Sequence, residues 1–209
     1  MTWRAPSLPG LGALWPKPKR RSRGAAPWPP ETPIRAWGRN EVAGAMSITE
    51  ENAAEILTVL DRLGVARRQV VISCFRNGMS TLFWSRHFDR VLAVTPHALP
   101  GGRIEDDKVT ILSGVLDRTG FGDTLVAGLD AIDLLVLDER RYSLVIAPYY
   151  LFRKKLARPA LVVFVGMRRD GMQRFAADLV NGHLDGFNHE ITMLRGDEGV
   201  GVAYEEILP

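Results

Sequence analysis

Three groups of residues in this chain have types and spacings that can support chemistry. The first is a glycine followed by two hydroxyls, Gly78, Ser80 and Thr81, just after the β-branched run QVVISC at 69–74. A glycine lets backbone approach a ligand, and hydroxyl residues opening a helix stand beside exposed amides that can hold a carboxylate. The second is Asp138, closing the run AIDLLVLD at 131–138, where a carboxylate can steer an amine or accept from a hydroxyl. The third is a set of arginines, Arg76, Arg140, Arg141, Arg168 and Arg169, all in loops predicted to follow strands. Converging, they would form a cationic mouth for phosphate, sulfate or carboxylate; splayed outward, they are ordinary solvated charges. Tyr142, Tyr149 and Tyr150 stand at helical spacing and read as packing residues. Other chemistries lack their patterns. There is no Gly-x-Ser-x-Gly elbow, P-loop or His-Glu-x-x-His, and the histidines at 87, 97, 183 and 189 have no metal-ligand spacing. Cys74 is the only cysteine, which excludes an intrachain disulfide, and it reads as a small packed hydrophobe rather than a reactive thiol.

These residues need elements to position them. Ser47-Ile48-Thr49-Glu50 has the form of a capping box, with Ser47 at the N-cap. Behind it Ala53, Ile56, Leu57, Leu60 and Leu63 share one helical face, and Gly64 suits the stop. Strands are expected at 69–74, 90–95, 108–113, 131–138 and 160–166, where short β-branched runs resemble those buried in parallel sheets. Helices are expected over 80–88, 123–129, 144–157 and 171–182, with Pro148 tolerated in a first turn or at a kink. Two final runs, 189–194 and 200–207, flank a Gly-Asp-Glu-Gly turn and read as an antiparallel hairpin. Strand–helix alternation with short connections predicts an α/β fold with a doubly wound, mostly parallel sheet. Ligands in such sheets bind outside the carboxyl ends of the strands, near the point where strand order reverses. That directs attention to 74–81, 95–97, 113–118, 138–142 and 166–170.

Two segments carry a more particular likeness. VVISCFRNGMST at 70–81 and IDLLVLDERRYS at 132–143 resemble VVEIGxxxGGST and IDLLFIDGDHSY of a branch of small class I S-adenosylmethionine methyltransferases. The likeness runs from about Gln69 to Leu208 and implies a Rossmann-like fold of methyltransferase type, with S-adenosylmethionine as cofactor. It further implies that Gly78, Ser80, Thr81, Thr95 and Asp138 are the cofactor-facing positions. Several of the family's residues are replaced. Its first-strand acid corresponds to Ile72, its first loop glycine to Cys74, and its ribose-gripping acid to Thr95. Thr95 offers one hydroxyl where the family has a bidentate charge; His97 nearby reads as an exposed loop residue. The Asp-His pair of metal-using relatives gives way to the Glu139-Arg140-Arg141 segment, and the fifth strand ends in Gly166-Met167 instead of an acid. Guanidinium groups repel divalent cations, so metal-dependent chemistry is not expected. Asp138 is expected to be a solvated carboxylate paired to Arg140 or Arg141. The resemblance implies either a methyltransferase with a degenerate cofactor site, or an inactive methyltransferase-fold scaffold or subunit binding a protein partner or an anionic ligand.

The charge is unevenly spread. Residues 1–45 carry eight Lys/Arg against two Asp/Glu, so the whole positive excess of the chain, formally +3, sits there. Nucleic acid is therefore not an expected partner of the body at 46–209. The same 45 residues hold eight of the thirteen prolines and four of the five tryptophans, which precludes a continuous helix and predicts an extended or disordered arm. Its competing readings are a secretory signal, for which Leu8–Trp15 is a poor apolar core, an organellar transit sequence, whose helix the prolines oppose, and a docking arm for a protein partner, beside an arm with no specific role or translation beginning at Met46. The single cysteine and the lack of any apolar run of about 18 residues favour a cytoplasmic chain with no transmembrane segment.

Overall fold

The structure, a computed structural model, describes residues 48–74, 81–95, 106–113, 116, 121–139, 141–194 and 201–209. The expectations for residues 1–45, Arg76, Gly78, Ser80, His97 and Arg140 lie outside them.

The apolar period of 3.6 produces helix α1 (Glu50–Leu63), which buries Ala53, Ile56, Val59 and Leu60. Its N-cap is Thr49, not Ser47. Thr49 has the extended backbone a cap requires, and its Oγ1 accepts from the Asn52 amide at 3.1 Å. Gly64 ends the helix at φ 68°, its amide donating to the Asp61 and Leu60 carbonyls.

Strands β1 (Gln69–Cys74) and β2 (Arg90–Thr95) match the expected runs, and β3 (Val109–Ser113) and β4 (Ile132–Asp138) each start one residue later than expected. Helix α2 between β1 and β2 is a single turn, Thr81–Trp84, in place of the helix expected over 80–88; the chain turns after it, although Trp84 and Phe88 remain buried. Helix α3 (Phe121–Ala127) precedes β4. Helix α4 (Tyr142–Arg153) begins and ends earlier than 144–157, and Pro148 lies inside it beyond the first turn. The early end leaves room for β5 (Leu156–Val165), which is longer than expected. The β4–β5 register shifts where the partner of Ile132 is Leu156 and that of Leu134 is Leu161. Pro159 falls within that irregularity, where its missing amide breaks no ladder hydrogen bond.

After α5 (Asp170–Val180) the chain forms β6 (Thr192–Met193), far shorter than the expected 189–194, and β7 (Val202–Ile207). The sheet order is β3-β2-β1-β4-β5-β7-β6, parallel through β5, with β7 antiparallel to both β5 and β6. The expected fold class is thus observed. The hairpin is present, but its second strand is the one inserted beside β5.

Pleating divides the core into two layers. Val70, Ile72, Leu134, Val136, Leu161 and Val163 pack with α1 and Trp84. Their neighbours Val71, Leu135, Leu137, Val162 and Phe164 face α3, α4 and α5, against Tyr149 and Phe175. No described helix is long and apolar enough to cross a membrane.

Candidate functional site

Strand order reverses between β1 and β4, so their carboxyl ends bound the crevice in which this architecture receives ligands. The register puts expected site residues side by side there. Cys74 is level with Asp138, Thr95 with Ser113, and Ser73 pairs both with Val94 of β2 and Leu137 of β4. Thr95, Cys74 and Asp138 therefore form one row across three adjacent strands. Thr81 and Thr95 are completely buried, and the Thr81 hydroxyl has no hydrogen-bond partner. With α2 reduced to one turn, the exposed amides of a full helix cannot be invoked for a carboxylate at Thr81.

Asp138 is buried rather than solvated, and its partner is Arg169. Arg169 Nη1 donates to Asp138 Oδ1 at 3.3 Å, from a residue that also caps α5. Gly166 makes this possible. It adopts φ 90°, and a Cβ there would lie 2.9 Å from Arg169 Nη1 and 3.0 Å from its Cζ. The missing side chain is the slot through which the guanidinium reaches back over the strand end. Gly166→Ala is expected to cost about 1–2 kcal/mol from the left-handed backbone alone and to push Arg169 off Asp138. Urea titration would read it, with Arg169→Ala as reference; an unchanged midpoint would mean that the slot is not needed.

The other arginines do not join Arg169 in a described cluster. Arg141 caps α4 without a side-chain hydrogen bond and is exposed, and Arg168 is exposed where Gly201 packs against its stem. Of the tyrosines, Tyr149 is a core residue and Tyr142 donates to Asp178 Oδ2 at 2.6 Å, linking α4 to α5.

A buried pair escaped the sequence reading. Glu139, one residue beyond β4, is 5 % exposed, and its Oε1 accepts from Ser73 Oγ at 3.0 Å. Its Oε2 is buried and without a partner. Burial pushes the carboxyl up to about 7; the Ser73 hydrogen bond opposes the rise and the charge of Asp138 adds to it. The available signal was an acid standing where the resembled motif has a glycine.

A divalent cation does not fit these groups. The carboxylate of Asp138 is committed to a guanidinium, and among the described residues no three His, Cys, Asp or Glu side chains cluster as ligands.

The sheet order, with its antiparallel β7 beside β5, defines the class of fold: this chain has the fold of the class I S-adenosylmethionine-dependent methyltransferases. It is similar to the O-methyltransferase NovP, with a TM-score of 0.57, 13% identity, and coverage of 78% of this chain and 81% of that one. TomG from Streptomyces achromogenes, an O-methyltransferase solved with its S-adenosylmethionine, gives a TM-score of 0.50 at 16% identity over 78% and 82% of the two chains. MycE, a methyltransferase of mycinamycin biosynthesis solved with Mg and S-adenosylhomocysteine, gives 0.54 at 12% identity over 76% of this chain and 50% of that one. At such identities the likeness is one of fold. No protein-family model and no curated protein sequence matches the chain.

Proposed function

We propose that this chain binds S-adenosylmethionine across the carboxyl ends of β1, β2 and β4 and transfers its methyl group without a metal. The observation that carries this reading is the buried, partnerless Glu139 Oε2 just beyond β4, with the Thr81 hydroxyl, likewise buried and partnerless, at the start of α2 after β1. Buried polar atoms nearly always have partners, so their presence at the ligand-binding edge of this fold favours a polar ligand that supplies them. When bound, the cofactor supplies an electrophilic methyl group on a positively charged sulfur.

The chain's own part is to hold and align. Gly78, Ser80 and Thr81 would engage the amino-acid end, and Thr95 the ribose with a single hydroxyl. Asp138, fixed in orientation by Arg169, would border the acceptor. Transfer from sulfur demands chiefly a straight alignment of nucleophile, methyl and leaving group, so few catalytic groups are needed. Calorimetry should detect S-adenosylmethionine and S-adenosylhomocysteine binding with dissociation constants below about 1 mM. Folded protein that gives no heat with either ligand at millimolar concentration would end the proposal.

The Asp138–Arg169 pair also favours a second reading, since it neutralises an acid that a working site would keep available. On that reading the body is a scaffold, the segment 1–45 docks a protein partner, and the strand-end arginines meet an anionic group. A stable partner co-purifying with untagged native protein, together with no cofactor binding, would decide for the scaffold.

A further inference from the structure

Glu139 is a buried carboxylate with one oxygen satisfied and the other not, at the junction of β1 and β4. Its charged surroundings are unbalanced. From β1 it meets Ser73, which is neutral, and from its own strand end Asp138, which repels its charge. Among the described residues, the cation that reaches this edge, Arg169 at the head of α5, is bonded to Asp138. No described basic side chain forms an ion pair with Glu139. Burying an unpaired carboxylate costs several kcal/mol, and functional clefts are where proteins retain such groups. A cationic ligand would relieve this: its charge would lie against Oε2 and offset the negative charge that Arg169 leaves uncompensated.

The donor and the spent product of methyl transfer differ at one atom, the sulfur, by a methyl group and the positive charge that comes with it. S-adenosylmethionine carries a sulfonium, S-adenosylhomocysteine a neutral thioether; the amino-acid and nucleoside ends are common to both. We propose that Glu139 is the counter-charge for the sulfonium, so that the site prefers the charged donor over the spent product. This rests on the cofactor reading above and deepens it by assigning a specificity-determining residue where the resembled motif has a glycine.

The proposal has a sign. Glu139 must be ionised to act, so donor binding expels its proton at any pH below about 7. Preference for the donor should therefore grow with pH and level off above that value. Ligand-free stability runs the other way. A carboxyl raised from its ordinary value contributes stability that is full below about 4.5 and lost as pH rises through about 7.

The test is the ratio of the two dissociation constants, measured on the full chain from about pH 5.5 to about 8.5, a window centred on that value of about 7. Contacts to the shared nucleoside cancel in the ratio, and Glu139→Gln controls for the α-amino group, which the sulfonium makes more acidic in the donor than in the product. In the wild type the preference for S-adenosylmethionine should rise by up to about tenfold per pH unit below the midpoint. Glu139→Gln keeps the shape and should bind both ligands without the rise in the ratio below about pH 7. Ser73→Ala removes the hydrogen bond that favours ionisation and should move the midpoint to higher pH. Should the wild-type ratio be flat, or Glu139→Gln keep its pH dependence, Glu139 is not the counter-charge although cofactor binding stands. A Ser73→Ala midpoint that stays or falls would place the titration on another group. Absence of binding by either ligand would overturn this proposal and the cofactor reading together.

Discussion

Replacing His189 with alanine is expected to lower the unfolding free energy by about 1–3 kcal/mol or more, the cost of leaving buried carboxylate oxygens without their partner. His189 lies in the layer beneath α4, on the far side of the sheet from α1. Its Nδ1 is 2.6 Å from Glu205 Oε1 and its Nε2 is 3.0 Å from Asp185 Oδ2. Each ring nitrogen thus faces a carboxylate oxygen within hydrogen-bond distance. Tyr149 donates to the other Glu205 oxygen at 3.2 Å; burial, then the charge of Glu205, pushes its phenol well above the ordinary range, so it remains a donor. Arg153 closes the set on Asp185. Burial raises the Asp185 carboxyl, but the hydrogen bonds from Arg153, the Phe187 amide and His189 outweigh it, and the net shift is downward. Asp185 thus contributes stability above the ordinary carboxylate range that is lost as pH falls through its lowered value. Without His189, Glu205 keeps one neutral donor and stays buried. Urea unfolding of His189→Ala, Glu205→Ala and the double variant would check this, with the double variant costing less than the sum by about 1–3 kcal/mol. A single-variant cost under about 1 kcal/mol would mean that the ring only fills space.

That network shows what a sequence conceals. His189 reads as a lone histidine without ligand spacing, because its partners lie on β7, on α4 and in the turn before it. Local elements were far more readable. Val70, Val71 and Ile72, and Val91, Leu92 and Val94, are runs that only a sheet buried on both faces uses well, and β1 and β2 begin and end where those runs do. Boundaries failed where two signals competed. Ser47 and Thr49 are both good caps, and backbone geometry chose Thr49. The segment 154–157 continues a helical pattern, yet the Ile132 amide bonds the Lys155 carbonyl and draws the following residues into β5. The run after Gly78 is helical in composition, but tertiary packing of Trp84 and Phe88 is met with one turn.

The strand ends that bound the candidate site were readable in position, and the partners of their side chains much less so. Asp138 is a strand-end acid in a quoted motif, and strand alternation suffices to place it at the switch point. Its partner is 31 residues away and depends on the left-handed conformation of Gly166, which no local pattern reveals. Arg140 and Arg141, adjacent in sequence, seemed the natural partners for that reason. Nothing local in the Glu139-Arg140-Arg141 segment marks Glu139 as buried, whereas the fold sets it against Ser73 of the neighbouring strand. What governs the site is which strand lies next to which, and that is set by topology rather than by neighbours in the chain.

Alignment of those two strands leads to the other large expected effect, at Asp133. This second residue of β4 has a side chain 1% exposed and accepts from the Arg68 amide at 2.5 Å, the Gln69 amide at 3.2 Å and the Arg68 guanidinium at 2.8 Å. It clamps the start of β1 to the start of β4, where Val70 pairs with Leu134. The same register, carried along the strands, sets Cys74 level with Asp138 and brings Ser73 within reach of Glu139. Because successive side chains face opposite layers, a slip by one residue would exchange the apolar sets facing α1 and α4. Asp133→Ala leaves two backbone amides without an acceptor and is expected to cost about 2–4 kcal/mol. Asp133→Asn keeps one acceptor oxygen and should cost distinctly less. Arg68→Ala should cost least of all, since the amides keep their carboxylate. The order Ala, Asn, Arg68→Ala in urea midpoints is the check. Were Arg68→Ala as damaging as Asp133→Ala, the ion pair rather than the amide clamp would hold the strands. A damaged clamp has a second readout. If register is what aligns Ser73 with Glu139, Asp133→Ala at temperatures where it remains folded should weaken cofactor binding, although Asp133 lies at the opposite end of the strand from the crevice.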